Sequence, residues 1–349
     1  MDKRKRRKRI LINLIDEYIE NCEPISSRLI NEKYVTDVSP ATIRIDLSEL
    51  EKNNLIYQPH TSAGRIPTIK GYRKYLIELS SDFLNESYEK TDLLREILIQ
   101  NYKNTPISLH YIMRLLAKET DQLSFLAEPE ISYGFLKVLE AFKISSHKLL
   151  FVISLDSGLD KTVIVNCDYE ISNHQVKAIV RYVNEKIIGL KIYDIQNKIL
   201  DELLEEQSAE NKLIKLFLEE LRDALMEINS YFIHFDGSTK FFNQPEFEKR
   251  ESIIKFLNFT QRQDHLINLM QERDSDKTFV ILGEELGRPG LRDYAMVCSK
   301  YKIFDVPGYL GVLGPIRMNY RKNFRIINNI AKVITNTTKK GAMVVNHGK

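Results

Sequence analysis

The residues best suited to specific polar contacts lie in one short stretch, which begins at Ser39 and ends near Lys52. Ser39 can cap the free amides of a helix start, and the proline that follows it suits the first helical position. One side of this helix carries an apolar stripe at helical spacing, formed by Ile43, Leu47 and Leu50. The other side carries small, basic or weakly polar residues: Ala41, Arg44, Ile45, Ser48 and Lys52. This pattern predicts a helix that can enter a DNA major groove.

A hairpin with a basic tip is predicted directly after this helix. Residues 55–57 favour a short strand, residues 62–65 a turn, and Ile66 the start of a return strand. A helix followed by such a hairpin is the outline of a winged helix. The predicted DNA contacts in the helix and hairpin are Ser39, Ala41, Thr42, Arg44, Ile45, Ser48, His60 and Arg65.

A run of seven basic residues, K-R-K-R-R-K-R, occupies positions 3–9. Because like charges repel, we expect this run to be disordered in isolation and to act as an arm that contacts phosphates. The residues of the arm assigned to DNA are Lys3, Arg4, Lys5, Arg6 and Arg7. Residues 1–75 hold 15 basic and 10 acidic residues, a net charge of +5, whereas the remainder holds 36 and 38, a net charge of −2. The basic excess therefore lies where a polyanionic partner would bind.

Three further helices complete the predicted N-terminal domain. Apolar residues recur at helical spacing between Ile10 and Ile19, and Ser26 with Ser27 can cap a second helix. After the hairpin, a stripe of Tyr72, Tyr75, Leu76 and Leu79 predicts a helix that tethers this domain to the rest of the chain.

The remainder of the chain mixes helical and strand patterns. The predicted helices lie at 80–104, 108–123, 171–228, 246–271 and 317–336. The predicted strands lie at 135–142, 149–155, 162–165, 232–235, 240–242, 279–282, 295–301 and 308–312. Strands, then helices, then strands again suggest an α+β domain that an insertion interrupts.

Neither a catalytic nor a metal site is predicted. The three cysteines are far apart, and the seven histidines show no metal-ligand spacing, so we expect no cofactor, no metal and no enzymatic activity. The glycines at 283, 287 and 290 match neither a phosphate loop nor a dinucleotide turn. No apolar run approaches the roughly 20 residues that a membrane span needs. Polar residues also interrupt the apolar region that would have to follow the basic N-terminus in a signal peptide. We therefore expect a chain of the bacterial cytoplasm, associated with the nucleoid and not with a membrane.

Several motifs resemble those of HrcA, the family of heat-inducible transcription repressors. In the N-terminal part they are A-T-I-R at 41–44, L-E at 50–51, Q-P-H-T-S-A-G-R-I-P-T at 58–68 and G-Y-R at 71–73. In the C-terminal part they are N-Q-P-E-F at 243–247 and G-Y-L-G-V-L-G-P-I-R-M-N-Y at 308–320. At one position the chain departs from the family, which usually has Asn where this sequence has Ile45. Asn can bind adenine through two hydrogen bonds, whereas Ile offers only apolar contact, for instance to a thymine methyl group.

The resemblance implies three domains and a function. The domains would be a winged helix-turn-helix at 1–80, a GAF-like α+β domain at 81–167 and 271–349, and an inserted dimerising α+β domain at 168–270. As a homodimer, the chain would repress chaperone operons by binding double-stranded DNA at an inverted-repeat operator upstream of their genes. A GroEL-type chaperonin would maintain its activity, which heat stress would remove. The apolar helices at 172–228 are the best candidates for the dimer contact; the alternative is that they simply cover the core of their own domain.

Two other functions compete with this interpretation. A GAF-like domain could gate DNA binding through a small ligand, which requires an apolar pocket with a few convergent polar groups. Alternatively, the chain could be a chaperone adaptor or scaffold whose basic arm binds nucleic acid without sequence preference. The pattern at 39–52 argues against this last function, because it has the character of a recognition helix.

Overall fold

A computed structural model describes residues 2–60, 63–79, 88–100, 105–129, 131–156, 160–206, 211–229, 232–237, 239–273, 275–287, 290–303 and 306–338. Within them, helices pack on a five-stranded sheet and on a three-stranded sheet, and a two-stranded hairpin follows the third helix. The predicted α+β class is confirmed.

The N-terminal residues form the predicted winged helix. Its elements are α1 (Lys3–Asn21), α2 (Ser27–Lys33), α3 (Pro40–Lys52), β1 (Ile56–Tyr57), β2 (Ile66–Pro67) and α4 (Ile69–Leu79). Ser26 caps α2 by accepting a hydrogen bond from the Leu29 amide. An isolated bridge between Ile25 and Arg65 joins the base of the hairpin to the chain before α2.

Within the folded chain, residues 3–9 are not a separate arm, because this run forms the first turns of α1. Arg6 and Arg7 bind the carboxylate of Asp46, so part of the positive charge of the run is neutralised within the fold. Repulsion among the cations therefore does not prevent the helix from forming.

The five-stranded antiparallel sheet forms the body of the protein. Its strands are β3 (Leu123–Ala127), β7 (Ile233–Gly237), β8 (Phe279–Leu282), β9 (Tyr294–Ile303) and β10 (Val306–Pro315), in the spatial order β7-β3-β10-β9-β8. Alternate residues point to opposite faces, so Val297 joins one core while Met296 and Cys298 join another. The helices around this sheet are α5 (Thr91–Gln100), α6 (Thr105–Thr120), α11 (Thr239–Phe242), α12 (Arg250–Thr260), α13 (Gln263–Gln271) and α14 (Tyr320–Thr337).

One apolar core is shared by the winged helix and the body. It runs from Ile10 and Leu14 of α1 through α4 to α14 and the adjoining face of the sheet. At the contact, the rings of Tyr72 and Tyr75 lie 6.0 and 6.4 Å from that of Tyr320. The predicted tether helix is therefore α4, and it is packed against the body.

A second α+β unit is inserted into the body sheet. Its elements are β4 (Leu136–Ser145), β5 (Lys148–Leu155), β6 (Asp160–Asn166), α7 (Asn173–Ile187), α8 (Ile192–Asp194), a π-helical turn (Ile195–Ile199), α9 (Leu200–Glu206) and α10 (Lys212–Asn229). The strands pair in the order β4-β5-β6, and their inner face packs on α7 and α10, as in the 5.3 Å contact between the rings of Phe151 and Phe217.

The division of the chain lies elsewhere than the sequence suggests. The chain leaves the body after β3 and returns before β7, where the Glu128 amide donates to the Phe232 carbonyl at 3.1 Å. The predicted insertion at 168–270 does not follow the cores, because β4–β6 pack within the inserted unit, whereas β7, α12 and α13 pack on the body. The sequence indicates strands at these positions but does not indicate which sheet they join.

Three other elements differ from the sequence predictions. The strand β3 was missed because all five of its residues are buried, so the alternation of polar and apolar residues is absent. The predicted strand at 240–242 is wrong, because these residues lie in α11, where Phe241 packs on Phe247 with ring centroids 4.6 Å apart. Of the predicted helix at 80–104, the structure shows α5, and residues 80–87 and 101–104 lie outside the described part.

Candidate DNA-binding surface

The exposed face of α3 is formed by the residues that the sequence assigns to it. Ser39 accepts a hydrogen bond from the Thr42 amide at 3.2 Å, and the two hydroxyl groups lie 3.0 Å apart. These residues therefore fix the start of the helix, with Thr42 half-buried. The side chains exposed on α3 include those of Ala41, Arg44, Ile45, Ser48 and Lys52.

The buried side of α3 contains a charged residue that sequence reasoning missed. Asp46 lies beside Leu47 on the buried side of the helix and is only 1% exposed, although it is an acidic residue. Its carboxylate accepts hydrogen bonds from Arg6 Nε at 2.6 Å and from Arg7 Nε at 2.9 Å. The sequence contains one signal for this contact: an acidic residue at a position of α3 that helical spacing places on the buried side, in a domain that also has a basic run.

The two arginines keep Asp46 ionised. Burial by itself would raise the pKa of this carboxyl group, but the hydrogen bonds from Arg6 and Arg7 outweigh it and hold the pKa below its usual range. Arg7 also lies 3.6 Å from Glu49 of the same helix. The first turns of α1 are therefore fixed against the middle of α3.

This contact separates the predicted basic arm into two groups. Arg6 is buried and Arg7 is half-buried, and both are directed to α3. Lys3, Arg4 and Lys5 remain exposed on the same turns of α1. Of the five arm residues assigned to DNA, these three are therefore the ones whose side chains face solvent.

The hairpin has one exposed and one paired candidate. His60 is exposed, and its carbonyl accepts a hydrogen bond from the Ala63 amide at 2.9 Å. Arg65 is directed back towards α3, where its guanidinium lies 3.4 Å from Glu51. The backbone of Arg65 pairs with Ile25, and a Cβ at the adjacent Gly64 would lie 2.5 Å from the Ile25 backbone, so glycine is required there. One predicted turn residue, Ser62, lies outside the described part, as does Thr61 before it.

Among the residues that the structure describes, no group of three or more His, Cys, Asp or Glu side chains is arranged to hold a metal ion. Over those same ranges, none of the helices combines the length and the apolar character that crossing a bilayer requires.

Comparison with known proteins gives one consistent family. The family model described as "HrcA protein C terminal domain" matches residues 108–323. The heat-inducible transcription repressor HrcA of Natranaerobius thermophilus is 32% identical over 95% of this chain and 95% of its own length. The protein of the same name from Pelotomaculum thermopropionicum is 27% identical over 96% of this chain and 97% of its own.

One solved structure shares the fold over nearly the whole length. It is the crystal structure of a hypothetical protein that is 25% identical in sequence, with a TM-score of 0.59. The match covers 95% of this chain and 98% of that protein.

The ion pair between α1 and α3 gives a stability prediction. Replacing Asp46 with Asn leaves the buried guanidinium of Arg6 without its counter-charge, which costs roughly 3–5 kcal/mol in buried pairs. Because folding lowers the pKa of Asp46, its contribution is complete above the unfolded-state pKa and disappears as the pH falls through the folded-state pKa. We therefore expect Asp46→Asn to lower the free energy of unfolding at pH 7 and to differ less from the wild type in acid.

Urea unfolding at neutral and acidic pH measures this difference. The matched control is Asp92→Asn, which removes an exposed aspartate that pairs with Arg95 three residues away on α5. We expect the control to change stability by less than about 0.5 kcal/mol. Equal stability of the Asp46 variant and the control at pH 7 would show that the pair does not support the fold.

Proposed function

The chain belongs to the HrcA family of heat-inducible transcription repressors, and on that premise we propose that it represses heat-shock genes by binding DNA through its winged helix. The observation that carries the proposal is the face of α3, on which Arg44, Ile45 and Ser48 are exposed. In this proposal α3 enters the major groove, where Arg44 donates hydrogen bonds to a base edge or a phosphate.

The remaining candidates have supporting roles in the proposal. Lys3, Arg4 and Lys5 neutralise phosphates, which adds affinity without sequence preference. Arg6 and Arg7 position α1 through Asp46, because their guanidinium groups are already directed to that carboxylate. His60 reaches phosphate from the hairpin, whereas Arg65 holds the hairpin against Glu51.

We further propose that the active unit is a homodimer, because an inverted repeat presents two half-sites related by two-fold symmetry. The outer face of the three-stranded sheet supports this proposal. Phe142, Leu150 and Ile164 form a row across its strands, with Phe142 50% and Ile164 55% exposed. An apolar sheet face of this kind can pack against its own copy.

The helices that the sequence favoured for the dimer are less suited to it. Their apolar stripes, which include Val176, Val183, Phe217 and Leu221, are buried in the core of the inserted unit. Apolar side chains that remain exposed on them are scattered, as Met226 is on α10. We therefore place the second copy on the sheet face.

The proposal extends to control by a chaperonin. The strand β3 pairs with β10, although the inserted unit and about 180 residues of sequence separate them. Pairing across so long a separation folds slowly and exposes strand edges in the meantime. The need for assisted folding makes the active fraction of the repressor sensitive to heat and to the supply of free chaperonin in the bacterial cytoplasm.

One cavity bears on the ligand-gated alternative: its position favours that function, whereas its lining does not. It has a volume of about 380 Å³ and lies between Tyr18 of α1 and the body, lined also by Lys255, Asp293 and Arg317. Its position could link a ligand to the winged helix. However, Arg317 already binds both carboxylate oxygens of Glu246, at 2.6 and 2.9 Å. The charged lining therefore differs from the apolar pocket with a few polar groups that small ligands prefer.

The first prediction of this proposal concerns Arg44. Arg44→Ala should weaken binding to the operator duplex by about 1–3 kcal/mol, the usual value of a good base contact, and should change binding to unrelated DNA far less. Fluorescence titration of labelled duplexes measures both affinities. The control is Arg181→Ala, which removes an exposed arginine of α7 in the inserted unit. Equal losses in the two variants would refute the role of α3.

The second prediction concerns the dimer. Phe142→Asp and Ile164→Asp place charges on the outer sheet face, so both variants should sediment as monomers and bind the operator weakly. Met226→Asp, which alters the exposed side of α10, should remain dimeric. Analytical ultracentrifugation decides between the two surfaces. A monomeric Met226 variant with dimeric sheet variants would move the interface to the helices.

The third prediction concerns assisted folding. After dilution from denaturant, the chain alone should recover little operator binding, whereas chaperonin with ATP should restore much of it. Titration of the active fraction at equal protein concentration measures the effect. Chaperonin without ATP is the control, because it binds unfolded chains without releasing them. Equal recovery with and without chaperonin would exclude this form of control and favour the ligand-gated alternative.

A further inference from the structure

The face of α3 that we assign to DNA carries two parallel stripes of different chemistry. Arg44 and Ser48 are four residues apart and form a polar stripe, whereas Ala41 and Ile45 have the same spacing and form an apolar stripe. The side chain of Ile45 is 62% exposed. A large apolar group is therefore presented to solvent beside the arginine that has the best chemistry for a base contact.

An isolated exposed isoleucine requires no functional explanation by itself. Ile77 of α4, for example, is 68% exposed. Ile45 differs in its location, because the helix that carries it is fixed from behind by Leu47 and by the buried ion pair of Asp46. Its β-branched side chain also has few rotamers to lose when a partner covers it.

The chemistry of the major groove offers one suitable partner for such a group. Isoleucine has no hydrogen-bond donor or acceptor in its side chain, so it cannot read the polar edges of the bases. Thymine presents the only methyl group in that groove, on its C5. We propose that Ile45 determines sequence preference by packing on a thymine methyl group at one position of each half-site. This inference rests on the proposed function, since it requires α3 to lie in the groove.

The contact can be removed from the DNA without changing any hydrogen bond. Duplexes are first selected from a random pool by the purified wild-type chain, and each thymine of the preferred duplex is then replaced in turn by deoxyuridine, which lacks only the methyl group. At one thymine in each half-site, we expect deoxyuridine to weaken wild-type binding about fourfold, which corresponds to ~0.8 kcal/mol for one buried carbon group. Replacement in both half-sites should weaken binding about sixteenfold, because separate positions contribute additively.

Variants of the protein connect this effect to Ile45. Ile45→Ala should bind the thymine and deoxyuridine duplexes equally, Ile45→Val should retain part of the preference, and the control Ile77→Ala should behave as the wild type. Full tolerance of deoxyuridine by the wild type, or an unchanged preference in Ile45→Ala, would overturn the assignment of Ile45 to a thymine methyl group and leave the repressor proposal standing. If no duplex is preferred in the selection, the repressor proposal fails and this inference fails with it.

Discussion

The buried contact of Asp46 with Arg6 and Arg7 is the interaction on which the proposed DNA surface depends. A carboxylate that is 1% exposed is stable in its charged form only because two guanidinium groups replace its water. Both arginines lie in the first turns of α1. The contact therefore stabilises a helix in a basic run whose charges would otherwise repel one another. It also sets the orientation of α3, whose opposite face is left open.

The same helix links the DNA surface to the body. The apolar side of α1 enters a core that continues through Tyr72 and Tyr75 to Tyr320 of α14. A change in the packing of the body can therefore reach α3 through α1 and α4. By contrast, the inserted unit has its own core and meets the body where the chain crosses between β3 and β7. This arrangement agrees with the dimerising role that we propose for the inserted unit.

The sequence predicted local features more successfully than spatial ones. The cap at Ser39 and the apolar stripe of α3 follow from residues within one or two helical turns, and they are present as expected. The start of α1 at Lys3 depends on Asp46, which is 40 residues from Arg6 along the chain. Similarly, the sheet to which β4 belongs depends on partners that periodicity does not identify. The exposed face of α3 was therefore predictable, whereas its attachment to α1 was not.

The central claim is that the exposed face of α3 reads a defined inverted repeat. A hydroxyl-radical footprint of the purified full-length chain, on DNA upstream of chaperone genes from the same organism, tests this claim most directly. The account predicts two protected half-sites in inverted orientation, both of which disappear with Arg44→Ala at the same protein concentration. Uniform protection along the fragment, or protection that Arg44→Ala leaves unchanged, would contradict it.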